Sequence, residues 1–285
     1  MSLPNRNRVV RHAKAALVKT LWSSIGRRNL VRLSRFLSNE ARLDVPNSMS
    51  DNGELLVQRV ALQNAGTRPC HIIDVGANVG DWSANVLDNA RRLGAHVELH
   101  AFEPAPATCD LLGSRIGRDP AVHLVQAAAS DAAGEATLHL VHATAGVNSM
   151  HARSDMVSAG AVQVPTIRLD EYCRRQNVGR VLLAKSDAEG HDLAVLRGAT
   201  GLLEAQAIDL FQFEYNWRWI DARNFLRDVF ELAQPLGYNL GKITPLGIER
   251  YRTWHPELES FREGNYLLMT HDSAGWFPAV KWWND

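Results

Sequence analysis

The stretch Ile72-Ile73-Asp74-Val75-Gly76-Ala77-Asn78-Val79-Gly80-Asp81 constrains the fold more than any other part of the chain. An apolar run closes on a carboxylate, two glycines four apart follow, and an amphipathic stretch begins. That succession reads as a buried strand, a tight turn and the start of a helix. Gly76 can adopt backbone angles closed to other residues, and its missing side chain lets a ligand lie against the main chain. A second acid, Glu103, closes the next apolar run, Val97-Glu98-Leu99-His100-Ala101-Phe102-Glu103-Pro104. An acid ending the second strand of such a sheet is where a nucleotide ribose finds a hydroxyl acceptor. Together the two acids imply a nucleoside-bearing ligand at one edge of a parallel sheet.

The remaining chain continues this alternation. Strands are expected at 71–75, 96–102, 121–127, 180–185, 208–214, 238–243 and 265–270. Shorter strands are expected near 135–141 and 162–167. Helices are expected at 55–63, 81–93, 106–116, 192–199 and 221–233. The fold class is therefore α/β: a mostly parallel seven-stranded sheet with helices on both faces. A chain of 285 residues accommodates one such domain, here 54–285, with an extension at 1–53.

Charge and cysteine content narrow the partners. Lys+Arg and Asp+Glu both number 31, so net charge gives no sign of a nucleic-acid partner. Cys70, Cys109 and Cys173 lack CxxC spacing, which argues against a zinc site or disulfide framework and suits a reducing cytoplasm. No apolar run approaches the ~20 residues that span a bilayer, and no signal-peptide pattern opens the chain. Charge is nevertheless uneven: residues 1–42 hold ten Lys/Arg against the single acid Glu40, with Val10, Ala13, Leu17, Leu21, Leu30, Leu33 and Leu37 at roughly helical spacing. One or two surface helices, a lid over a substrate, a homodimer arm and a segment lying on an anionic membrane all fit this pattern.

The succession Asp74-Val-Gly-Ala-Asn-Val-Gly80, Ala101-Phe-Glu-Pro104, Ala128-Ala-Ser-Asp131, Ile167-Arg-Leu-Asp170 and Lys185-Ser-Asp-Ala-Glu-Gly-His191 resembles the FkbM family of S-adenosylmethionine-dependent methyltransferases over about 70–270. The resemblance implies a Rossmann-like class I methyltransferase fold, S-adenosylmethionine as cofactor, and methylation of a hydroxyl on a sugar, glycolipid or natural-product scaffold. It also implies that Asp74 and Gly76 hold the methionine end, Glu103 the ribose and Asp131 the adenine amine. Asn78, Gly80, Pro104, Ser130 and Asp187 are the other motif positions at the cofactor. One departure stands out, since Ser186 and Ala188 replace bulkier residues usual around the Lys-x-Asp-x-Glu-Gly core. The residues themselves point the same way: the ligand's sulfonium, ammonium, ribose diol and adenine amine suit a rim of acids. A dinucleotide pyrophosphate would prefer Gly-x-Gly-x-x-Gly, and Asp81 beside the present Gly-x-x-x-Gly would repel it, which disfavours an NAD-dependent oxidoreductase.

Methyl transfer to oxygen is an in-line displacement, accelerated by holding the acceptor in place and helped by a general base or a cation. Asp187 and His191, and His151 in the loop 145–151, are the candidate bases. Asp187 and Glu189 could equally complement a helix N-terminus, with His191 a surface residue. Asn148, Ser149, Glu189, Glu214, Asn216 and Trp217 are candidates for binding the acceptor. Trp219 and Trp254 could stack on it or pack inside the protein. Asp187, Glu214 and Asn216 could together hold Mg²⁺, as oxygen ligands after two adjacent strands. A non-catalytic binding or assembly protein with the same fold is the alternative to a methyltransferase acting on a small-molecule or glycan acceptor.

Overall fold

The computed structural model describes residues 6–44, 48–66, 69–144, 146–152 and 159–284. Of the loop expected at 145–151, Ala145 lies outside the described residues. Two compact units divide the chain, at 1–45 and 46–285. The first carries helices α1 (Arg6–Ile25) and α2 (Arg27–Arg42), parted at Gly26, where φ is +77°. Leu17, Val18, Trp22, Phe36 and Leu37 on these helices are exposed. Among the described residues no helix is long and apolar enough to cross a membrane.

The second unit opens with α3 (Glu54–Gln63) and β1 (Cys70–Val75), then runs α4 (Asp81–Leu93), β2 (Val97–Phe102), α5 (Pro106–Ile116) and β3 (Val122–Val125). An excursion follows through β4 (Ala128–Ala129), β5 (Gly134–Leu140) and β6 (Gly160–Ile167). The chain returns by α6 (Leu169–Arg175), β7 (Val181–Ser186), α7 (Asp192–Gly198), α8 (Thr200–Glu204), β8 (Ile208–Tyr215) and α9 (Leu226–Ala233). It closes with β9 (Asn239–Thr244), β10 (Gly247–Tyr251), β11 (Gly264–Met269), α10 (His271–Ala274) and β12 (Ala279–Val280).

The main sheet has the order β12-β10-β9-β11-β8-β7-β1-β2-β3. Strands β8, β7, β1, β2 and β3 are parallel, while β11 runs against both β8 and β9. Nine strands replace the expected seven because β10 and β12 extend the far edge. No strand was expected between 243 and 265, yet Gly247-Ile-Glu-Arg-Tyr251 forms β10 with its charges satisfied inside. Tyr251 Oη donates to Glu249 Oε1 at 2.6 Å, and the Arg250 guanidinium donates to the carbonyls of Ala274 and Phe277. The helix expected from Asp221 starts only at Leu226. A 3₁₀ turn occupies Trp217–Ile220, Arg223 sits at φ +56°, and the Phe225 N–H donates to Asp228 Oδ2 to open α9.

Both faces of the central strands are buried, which explains their unbroken apolar runs. Ile73, Val75 and Phe102 pack with Leu169, Leu193, Val229 and Phe230 of α6, α7 and α9 on one face. Ile72, Leu99 and Leu183 pack with Val57, Trp82 and Leu112 of α3, α4 and α5 on the other. The chain winds outward from β1 to β3, then returns to β7 on the opposite side of β1. Such a reversal opens a crevice at the carboxyl ends of the strands, where ligands of open α/β sheets bind.

Candidate active site

The turn after β1 is held by backbone contacts that require its glycine. The N–H groups of Gly76 and Ala77 both donate to the Phe102 carbonyl, at 3.0 and 2.9 Å. Gly76 has φ +73°, and a Cβ there would stand 2.1 Å from the Asp187 carbonyl oxygen. The ends of β1 and β7 therefore touch only because this side chain is missing. Asn78, at φ +50°, directs its N–H to Glu103 Oε2 at 3.0 Å, and the Ala105 N–H donates to Oε1 at 2.9 Å. Glu103 is thus clamped by two amides, one on each oxygen, and is 7% exposed. Burial raises its pKa, and those two amides partly offset the rise.

Beneath the turn lies a buried charge chain. Asp74 is fully enclosed; Ser83 Oγ donates to its Oδ2 at 2.6 Å, and Lys185 Nζ stands 3.7 Å from its Oδ1. The same ammonium lies 3.2 Å from Asp187 Oδ2. Burial alone would lower the Lys185 pKa, but Asp187, Asp74 and Glu54 outweigh it and raise it. Lys185 is therefore a permanent cation shared by two carboxylates. Asp74, walled off from water, has its own pKa raised by burial, against the pull of Lys185 and Ser83. Glu54 is itself tied in by Gln212 Nε2 at 2.8 Å, Asn52 Nδ2 at 2.6 Å and Asn265 Nδ2 at 3.2 Å.

Oxygens of Asp187, Glu189 and Glu214 converge to within 4.8 Å of one another. Glu189, rather than the expected Asn216, is the third member of this cluster. Asn216 is occupied otherwise, accepting from the Arg218 N–H at 2.8 Å and donating to Glu214 Oε2 at 2.6 Å. Arg218 Nε lies 2.6 Å from Glu189 Oε2 and its Nη1 3.8 Å from Glu214 Oε2. Three acids are thus met by two protein cations, Lys185 and Arg218. Burial, then repulsion from Asp187, Glu189 and Asp192, raises the Glu214 pKa strongly. Asp192 fixes the loop beside them: its Oδ1 accepts from Ser186 Oγ at 2.6 Å and from the Ala188 N–H at 3.1 Å. Burial lifts its pKa to about 6, against those hydrogen bonds.

His191 stands half-buried at the N-cap position of α7, with its side chain bonded elsewhere. Its Nε2 is 3.0 Å from Ser130 Oγ and its Nδ1 3.1 Å from His151 Nε2. Since Ser130 Oγ donates to Asp131 Oδ1 at 3.2 Å, the consistent assignment has His191 Nε2–H donating to Ser130 and Nδ1 accepting from His151. Burial, helped by His151, lowers the His191 pKa to about 4. Burial also lowers that of His151, with Asp221 opposing.

These groups surround a pocket of about 560 Å³ of empty volume, part of it open to solvent. Of the residues singled out by sequence, Gly76, Asn78, Glu103, Pro104, Asn148, Asp187, Glu189 and His191 line it. Ser130 and His151 stand behind His191, and Asp131 lies beyond Ser130. Ser149 Oγ donates to the Glu189 carbonyl at 2.8 Å. Glu214 and Asn216 sit behind Arg218, whose guanidinium lies 5.4 Å from the Trp217 ring centroid. Asp74 is buried under the turn, and Gly80 begins α4 against Leu112. Trp219 is core, donating Nε1–H to the Glu214 carbonyl at 3.0 Å, and Trp254 Nε1–H donates to Glu259 at 2.9 Å. Sequence reasoning missed Arg218 and Asp192, which no motif announces. It named Ala128 and Ala129 only as motif positions and missed the apolar wall they form with Ala127, Leu138 and Met150.

A reversal beside β1, strand order β3-β2-β1-β7-β8-β11-β9 and a clamped acid after β2 define a Rossmann-like methyltransferase fold. The match to the FkbM methyltransferase domain covers residues 74–240, and the chain belongs to that family. The hexuronic acid methyltransferase AglP of Haloferax volcanii is 29% identical over 154 residues, which is 54% of this chain. The chain spans 59% of the length of that relative. Among solved structures, the METTL16 MTase domain aligns over 76% of this chain and 66% of its own, with TM-score 0.43 and 8% identity. An rRNA methylase from Streptococcus thermophilus aligns over 76% and 96%, with TM-score 0.40 and 11% identity.

Proposed function

We propose that this chain binds S-adenosylmethionine in the pocket and transfers its methyl group to a hydroxyl of a sugar-like acceptor. The observation that carries the reading is Glu103. A buried carboxylate whose two oxygens each take one backbone amide retains lone pairs for a ribose diol and sits on the pocket wall. Gly76 lines the pocket beside the Asp187 main chain, where the methionine end would lie, and the Ala127–Ala129 wall suits the adenine face. The bound cofactor supplies a methyl group activated on a sulfonium. On this reading Asp74 acts through Lys185 and the turn, without touching the ligand.

The opposite wall presents Asp187, 38% exposed at its side chain, and His191. Both ring nitrogens of His191 are engaged, so Asp187 is the group with a free face toward an acceptor hydroxyl and receives its proton. His191, with His151 behind it, fixes the neighbouring wall. Asn148 and Glu189 offer hydrogen-bond partners to further hydroxyls. A wall with two acids favours a neutral hydroxyl acceptor over a carboxylate. The relative AglP, named for hexuronic acids, supports a sugar class. The test is incubation with radiolabelled cofactor and a panel of neutral sugars, uronic acids and glycosides. Label in a base-stable ether, lost in Asp187→Asn with cofactor affinity retained, is the expected result. Label only in base-labile esters of uronic acids would overturn the hydroxyl assignment.

A further inference from the structure

On the β1-β2-β3 side of the sheet, away from the carboxyl-end crevice, four titratable side chains from three adjacent strands meet on one face. His71 and Glu98 are the second residues of β1 and β2, and His100 and His123 are paired across β2 and β3. His71 Nδ1 lies 3.1 Å from His100 Nε2 and 3.7 Å from Glu98 Oε2, and His123 Nε2 lies 3.5 Å from Glu98 Oε2. One donor atom from each of His71, Glu98 and His100 falls within 4.8 Å of the others. The His100 and His123 rings stack at 4.6 Å. None of these groups borders the proposed methyl-transfer pocket.

We propose that His71, Glu98 and His100, with His123 or water as the fourth ligand, form a binding site for a divalent ion of the zinc class. Ligand atoms held ~2.0–2.1 Å from a tetrahedral zinc stand about 3.3 Å apart. The observed 3.1 and 3.7 Å separations bracket that edge. Closing the set asks only the Glu98 side chain, 44% exposed, to swing inward. Two imidazoles and a carboxylate suit zinc or cobalt better than magnesium, which favours oxygen ligands. His100 carries the supporting contact such ligands need: its Nδ1 is 2.9 Å from Tyr172 Oη on α6, which orients the ring and directs Nε2 at the site. His71, Glu98 and His123 are each partly exposed, so an ion enters from solvent. The ion would cross-link three neighbouring strands and stabilise them without taking part in methyl transfer.

The experiment uses the tag-free full-length chain, stripped with chelator and titrated with Co²⁺, then Zn²⁺. Expected are one equivalent of Co²⁺ with tetrahedral visible absorption, displacement by Zn²⁺, and a rise in thermal midpoint with Zn²⁺. His71→Ala and Glu98→Gln, both at partly exposed positions, should each abolish the absorption while preserving the circular dichroism of the metal-free fold. Tyr172→Phe should weaken binding by ~10–100-fold. Absence of tetrahedral Co²⁺ absorption in the wild-type chain leaves only a hydrogen-bonded His71–His100 pair and overturns the proposal. Absorption that survives His71→Ala and Glu98→Gln but is lost in Glu189→Gln also overturns it, by moving the ion to the acidic cluster.

Discussion

Replacing Asp192 by asparagine should make the protein more stable at neutral pH, by an amount that grows with pH. The carboxyl is enclosed, its Oδ1 accepts from Ser186 and Ala188, and its Oδ2 has no hydrogen-bond partner among the described residues. Asparagine keeps the accepting oxygen and replaces the other oxygen with a neutral NH₂. Burial raises the folded-state pKa from 3.8 to about 6. A raised pKa means that the stabilising contribution is complete below the unfolded value and lost as pH rises through the folded one. Wild type therefore loses stability across that window, whereas the amide does not titrate. The stability difference, variant minus wild type, should grow from about 1 kcal/mol near pH 4.5 to about 3 kcal/mol near pH 8. Urea unfolding of both proteins at several pH values, followed by tryptophan fluorescence, measures it directly. A difference that does not change with pH, or one that favours wild type more as pH rises, would refute the burial argument. Asp192→Ala is the companion variant. It frees the Ser186 hydroxyl and the Ala188 N–H and so should loosen the 187–189 loop, weakening cofactor binding where asparagine does not.

Further outcomes follow from the same geometry. Glu103→Ala should weaken S-adenosylhomocysteine binding at least tenfold, about 1.4 kcal/mol, by calorimetry, and normal affinity would remove the ribose assignment. Gly76→Ala should destabilise by roughly 2–5 kcal/mol, because a left-handed backbone and the Asp187 carbonyl both oppose the new carbon, and a wild-type urea midpoint would contradict this. His191, lowered to about 4, resists protonation in the fold, so folded stability falls as pH drops from 6.5 toward 4. His191→Gln should flatten that part of the pH–stability curve, and an unchanged slope would count against it. Lys185 and Arg218 already contact the acid cluster, so extensive EDTA treatment should leave turnover intact. Activity lost to chelator and restored by Mg²⁺ would place an ion among Asp187, Glu189 and Glu214.

Much of the scaffold was legible because local pattern and tertiary role agree. The apolar run 70–75, its closing acid and the glycines after it could be little else than a central strand and its turn. Helix Asp81–Leu93 lies between Gly80 and Gly94, and Pro106 opens the helix that ends at Ile116. What stayed hidden depends on contacts far apart in sequence. Glu249 and Arg250 look like loop residues until Tyr251, Ala274 and Phe277 are brought beside them. Arg218 acquires its meaning only when a 3₁₀ turn after β8 sets it against Glu189 from the loop after β7. Asn216 looked like a metal ligand because its neighbours are acids, yet its amide is committed to holding that turn. The pocket's apolar wall escaped because alanines at 127–129 carry no chemical signature of their own.

That wall comes from β4, β5 and the segment 146–152, and β4, β5 and β6 make a three-stranded sheet distinct from the nine-stranded one. Ala105, Ala128, Leu138 and Val164 form a nucleus separate from the two large ones, with Met150 and Leu140 packed against it. Leu138 and Met150 can therefore be exchanged for larger or smaller side chains while the nine strands keep their packing. The contour of the cavity is in that sense tunable at a module whose packing is its own.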